Sequence, residues 1–157
     1  MKSKILKNDF TKLNNFLNAL SDKHVVKVGI LADKTVRPTQ DTVTNADLGA
    51  IHEFGSPSKN IPARSWLRMP LMVKSTYIIK TASKEMLSLL ANGDMLSVLK
   101  DLGFACEQAI DWAFFSSGFG TWAKNKPGTI KAKGSSRPLI DHSFFRRSVV
   151  SKVDNRT

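Results

Sequence analysis

Apolar residues recur at helical spacing through the middle of the chain and thicken into β-branched runs towards its ends. Over residues 9–20, Phe10, Leu13, Phe16, Leu17 and Leu20 fall three and four apart, the stripe of a short amphipathic helix. Its polar face carries Asn14, Asn15 and Asn18, which are poor helix formers, so tertiary contact would have to hold it. The run 24–31 (HVVKVGIL) predicts a strand, with Ser21-Asp22 as a turn before it. Residues 34–44 show little periodicity and predict a loop.

Asn45 is placed to cap a helix running to Phe54, with Leu48, Ile51 and Phe54 on one face. Gly55 stops it and Ser56-Pro57-Ser58 follows as a turn. The stretch 61–68 (IPARSWLR) should begin extended, because a residue before proline avoids the α region. Residues 69–90 predict a mostly helical segment, with Leu71, Tyr77, Ile78, Met86, Leu87 and Leu90 on its apolar side. Gly93 breaks it and Asp94 caps a stronger helix, in which Met95, Leu99, Leu102, Cys106, Ala109 or Ile110, and Ala113 keep the period to about Phe115. Gly103 inside that helix costs roughly 1 kcal/mol against alanine. The tight break between the two predicts an antiparallel helical hairpin. Residues 116–140, rich in Gly, Pro, Ser and Lys, predict a long basic loop, and 144–153 a final strand. With strands near the two ends and helices between, the expected class is α+β. A small, mainly antiparallel sheet should pack against two long helices, with long loops, in a single domain over 1–157.

Length and composition fit that picture: 157 residues with 41% hydrophobic and 24% charged are enough for one core. The formal net charge of +11 is unevenly placed. Residues 124–157 hold nine basic side chains against Asp141 and Asp154, which is +7 of that total. Such a cationic segment attracts polyanions, either nucleic acid or an acidic protein face. Cys106 is the sole cysteine, which rules out an intrachain disulfide and a multi-cysteine zinc site. The first residues lack the apolar stretch of a secretory signal, and no apolar run approaches the ~20 residues of a membrane span, so a soluble, intracellular chain is expected.

Little in the sequence points to catalysis. His24, His52 and His142 are not paired at metal-binding spacing, and His52-Glu53 begins a zincin-like motif that ends on Ser56 where a histidine is needed. Asp141-His142-Ser143 lists triad residue types as neighbours, whereas a triad is a matter of geometry. Gly118-Phe119-Gly120 lacks the third glycine of a dinucleotide loop and follows a helix, not a strand. His142, Arg146 and Arg147 are the only candidates close in sequence for a nuclease. No enzyme activity, metal or cofactor is expected, and Cys106, on the apolar stripe, should be an inert thiol. Trp112 reads as core. Trp66 and Trp122 have two readings, lids folded onto the core or anchors of a contact between subunits. The basic residues Lys124, Lys126, Lys131, Lys133 and Arg137 have three: a solvated face, a salt-sensitive protein contact, or a nucleic-acid grip with Trp122 as its one aromatic.

Four stretches resemble the phage tail-completion proteins, the group of phage virion morphogenesis and related neck proteins. They are the strand 26–30 (VKVGI), the segment 48–55 (LGAIHEFG) like that family's helix ending in E-F-G or E-Y-G, the segment 61–68 (IPARSWLR) like I-P-A-R-P-F-L-R, and 138–149 (PLIDHSFFRRSV) like P-L-I-D-T-G-x-L-R-x-S-I. The likeness covers about two thirds of the chain, in order. His142-Ser143 stands where the family has Thr-Gly, and Ser65 replaces a common proline. The resemblance implies a non-enzymatic virion protein, made in the host cytoplasm and placed at the head–tail junction. There it completes the tail for head joining as a homo-oligomer, commonly a six-fold ring, beside the tail terminator and head connector. A transient contact with passing DNA is compatible with it. On that basis Arg64, Trp66 and Arg68 are expected to form one contact, and Trp122 with Lys124, Lys126, Lys131, Lys133 and Arg137 another.

Overall fold

The computed structural model describes residues 14, 24–31, 43–92, 95–140 and 144–155. The amphipathic stretch 9–20, most of the 34–44 loop, the Gly93-Asp94 break and Asp141-His142-Ser143 lie outside the described residues. The class is α+β, as the pattern predicted. Strand β1 (His24–Ile30) pairs antiparallel with β2 (Val149–Asn155), from His24 opposite Asn155 to Ile30 opposite Val149. Lys27 and Asp154 close an exposed ion pair across this ladder at 3.0 Å. Between the strands come α1 (Asn45–Phe54), α2 (Arg68–Val73), α3 (Ser75–Asn92), α4 (Met95–Phe115), α5 (Pro127–Lys133) and α6 (Phe144–Arg147).

The central element is α4, which packs on both strands on one side and on α2 and α3 on another. Small residues make this possible. Gly103, Ala105, Ala109 and Ala113 are buried along it, and Gly103 lies so close to Ser151 that an added Cβ would sit 2.6 Å from its Oγ. The two long helices run antiparallel as expected, since Tyr77 near the start of α3 meets the far end of α4. Its hydroxyl donates to Gln108 at 2.5 Å and its ring meets Trp112 edge-on at 4.8 Å. The core lies at that end of α4, where Ile110, Ala113 and Phe114 meet Trp66, Trp122, Leu139 and Phe145. Val28, Ile30 and Val149 bring the sheet onto the same cluster.

Several local expectations need correcting. Thr44, not Asn45, caps α1: its hydroxyl accepts from the Asp47 amide at 3.1 Å, and the Asp47 carboxylate accepts from the Thr44 amide at 3.0 Å, a capping box. Residues 69–90 form two helices, divided at Lys74. The basic loop contains α5, which starts on Pro127 and ends at Gly134 in the left-handed conformation. The last strand is shorter than expected because residues 144–147 make a helical turn that drives Phe145 into the core. Trp112 is 38% exposed and lies on the α3 side under the Lys74 ammonium, not in the core.

Candidate functional site

The stretches 48–55 and 61–68 interlock around one carboxylate. The α1 helix delivers Glu53 to the inside, where it is 5% exposed. There it accepts from the Ser65 hydroxyl at 2.7 Å, the Trp66 amide at 2.9 Å, the Leu67 amide at 3.0 Å, the Arg68 amide at 3.3 Å and the Arg68 Nε at 2.8 Å. Burial alone would push this carboxyl up, but the hydrogen bonds from Arg68, Leu67 and Ser65 outweigh it and hold the group below its ordinary value. Gly55 ends α1 at φ 78°, and an added Cβ there would meet the Ala63 amide nitrogen at 2.9 Å. That close approach lets the Arg64 amide reach the His52 carbonyl at 2.6 Å.

The residues expected at a contact fall into two groups. Trp66 is 4% and Trp122 6% exposed, so the reading of both rings as free anchors for a partner is corrected: they are lids folded onto the core. Trp66 Nε1 donates to the Gly49 carbonyl at 2.8 Å and its ring meets Phe145 edge-on. Trp122 lies over Gly118, meets Phe114 edge-on and donates to the Ser65 carbonyl at 3.2 Å. Arg64, 7% exposed, is likewise internal. Its Nε donates to the Ala123 carbonyl at 2.8 Å and its Nη2 to the Lys124 carbonyl at 3.3 Å. The two stretches expected to serve separate contacts are thus bonded together. Arg68 is outward, with its guanidinium 4.8 Å above the Phe54 ring.

Lys124, Lys126, Lys131 and Arg137 are exposed around α5. Lys133 is half-buried and donates to the Arg137 carbonyl at 3.1 Å. Asn125 ties the segment down by donating to the Ser136 and Arg137 carbonyls at 3.3 and 3.1 Å. The basic face is therefore ordered against the body through Arg64 and Asn125.

Sequence reasoning missed three features. Glu53 was visible only as a letter of a motif, because its donors lie 12–15 residues away. His52, in the last turn of α1, is half-buried. Its Nδ1 is buried without a hydrogen-bond partner, and burial, Arg64 and Lys133 lower its pKa to about 4. The third is a set of outward apolar side chains. Met72 (75%) and Val73 are exposed on α2, Ile79 on α3, and Phe104 and Phe115 three turns apart on α4. Arg146, whose guanidinium covers the Phe115 ring at 4.4 Å, is paired with Asp111 at 2.7 Å. Cys106 is half-buried, and burial together with Glu107 pushes its thiol up, away from the reactive thiolate.

Among the described residues no group of three His, Cys, Asp or Glu side chains could hold a metal ion. Among them, too, no helix is long and apolar enough to cross a membrane. Compared with models of known protein families, with curated proteins and with solved structures, the chain has no match.

Proposed function

We propose that this chain is a structural subunit of a tailed-phage particle, placed at the head–tail junction, where it completes the tail for head joining. It works by surface fit to copies of itself and to neighbouring virion proteins, and makes or breaks no bond. The observation that carries the association is the outward apolar set on α2, α3 and α4. Exposed side chains such as Met72, Val73, Ile79 and Phe104 cost solvation free energy in a lone chain and favour burial against a partner. The four phage-like sequence stretches supply the kind of assembly. Two of them are bound to each other through Glu53, which suits a rigid body that docks without rearranging. Closing a ring needs two different complementary faces on each copy, and a six-fold ring flanked by tail terminator and head connector meets that need.

The experiment is deletion in the source phage. Unjoined heads and tails should accumulate. Supplying the intact chain should restore joining, and a Met72→Glu, Val73→Lys chain should not. Full particles made without the chain would rule the proposal out.

One observation favours a second reading, a nucleic-acid-binding module. No acidic residue occurs between Asp111 and Asp141, and Lys124, Lys126, Lys131 and Arg137 are exposed there. The burial of Trp122 removes the stacking platform a single-strand binder would use, leaving contact with phosphates alone. A gel shift across a salt series separates the two readings. Binding that is tight at physiological salt and steeply salt-dependent favours the module.

A further inference from the structure

The two edges of the sheet differ. On β2 the Ser151 amide donates to the Glu107 carboxylate of α4. Ser151 lies opposite Val28, so that amide is not spent on β1, and these two residues form a pair without mutual hydrogen bonds. Such pairs alternate with bonded ones along an antiparallel ladder. Lys27 and Gly29 therefore exchange bonds with Lys152 and Val150, while Val26, Val28 and Ile30 turn their N–H and C=O groups outward, away from β2. Among the described residues no third strand answers them, and none of the three meets a backbone partner outside the ladder.

The space beside them is open. A cleft of about 270 Å³ lies between β1 and α1, with Val28, Gly29 and Ile30 on one side and Ala46, Gly49 and Ala50 on the other. Both alternating sets of β1 residues line it, which puts it at the edge of the strand and not on one face. The α1 wall is made of small residues one helical turn apart. Gly29 stands at φ 148°, where side chains are rarely found, and nothing lies within 4 Å of the place its Cβ would take. Glycine inside a strand often marks the close approach of another backbone.

We infer that the outer edge of β1 takes up a third strand, an extended segment of an acidic partner protein. A row of outward amides and carbonyls is a template for another extended main chain. The wall of Ala46, Gly49 and Ala50 suits small apolar side chains at every second position of that segment. The formal charge of +11 sets the sign: a second copy is repelled and an acidic protein is drawn in. The inference goes beyond the proposed function, because it uses the main chain of β1 and not the apolar set on α2, α3 and α4. It holds whichever acidic protein supplies the strand.

The test is amide hydrogen exchange, read by NMR on the full chain. In the chain alone Lys27 and Gly29 should exchange slowly and Val26, Val28 and Ile30 fast. The probe is a capped peptide of alternating threonine and valine flanked by glutamates. At ten times its Kd it should slow Val26, Val28 and Ile30 about tenfold. The same peptide flanked by lysines should bind more weakly at low salt. Methylating the probe's nitrogens along its pairing edge should abolish the effect. Ala46→Gln with Ala50→Gln fills the cleft from two exposed positions, so the response should go while the thermal midpoint stays within a few degrees. Equal protection along β1 in the chain alone overturns the inference. So does slowing that survives methylation, that is as strong with lysine flanks, or that appears on concentrating the chain without peptide. The probe needs no virion protein, so its failure leaves the junction role standing, and a phage that assembles without the chain leaves the strand site standing.

Discussion

Glu53 shows how much one side chain can hold together here. Five donors converge on its carboxylate, three of them the successive amides of Trp66, Leu67 and Arg68. Glu53→Ala leaves those donors without their acceptor in a buried setting. Urea unfolding should show a loss of roughly 3 kcal/mol, and a loss below about 1 would mean the node is loose. His52 acts in a different pH range. It takes its proton at about pH 4 in the folded chain, against 6.5 ordinarily. Below 6.5 the unfolded chain binds a proton the folded chain does not, so stability falls as pH drops from 6.5 towards 4. Allowing for the part of the ring that meets solvent, unfolding at pH 7 and pH 4.5 should differ by roughly 2 kcal/mol, and His52→Gln should remove that part. Glu53, held below its ordinary value of 4.5, stabilises the fold above that pH, and this stabilisation is lost as the pH falls below it. Neither role could be read from the sequence. A motif letter names a carboxylate, but what it accepts from depends on how two segments fold back on each other.

At the scale of elements, periodicity was enough for β1 and α4, where apolar spacing and packing agree. It failed where short-range chemistry decides. Pro127 and Gly128 look like loop residues, yet proline at a first helical position starts α5. Phe144 and Phe145 look like strand residues, yet Ser148 folds them into a turn by bonding back to both carbonyls. Two glycines test the packing. Gly103→Ala improves helix propensity but sets a methyl 2.9 Å from Ser151 Cβ, so a net loss of roughly 1–3 kcal/mol is expected. Gly128→Ala meets nothing within 4 Å and should gain up to about 1 kcal/mol. Thermal unfolding of the two variants should move in opposite directions.

For the whole molecule, the charge of +11 was plain in the sequence, while the division between core and surface was not. Trp66 and Trp122, flanked by polar and basic residues, turned inward, and Met72, Val73 and Phe104, inside apolar stretches, turned outward. The proposed contact surface therefore lies on the helices and not on the tryptophans. Met72→Glu with Val73→Lys should leave the thermal midpoint of the lone chain within a few degrees, since both side chains are exposed, and should abolish assembly in a mass measurement. The most direct measurement of the proposed role is a cryo-EM reconstruction of an intact tailed-phage particle whose genome encodes this chain. Several copies of this fold should be found in a closed ring where head meets tail, with α2 to α4 against neighbouring subunits. A complete junction in which no copy of the chain occurs would contradict the structural role outright.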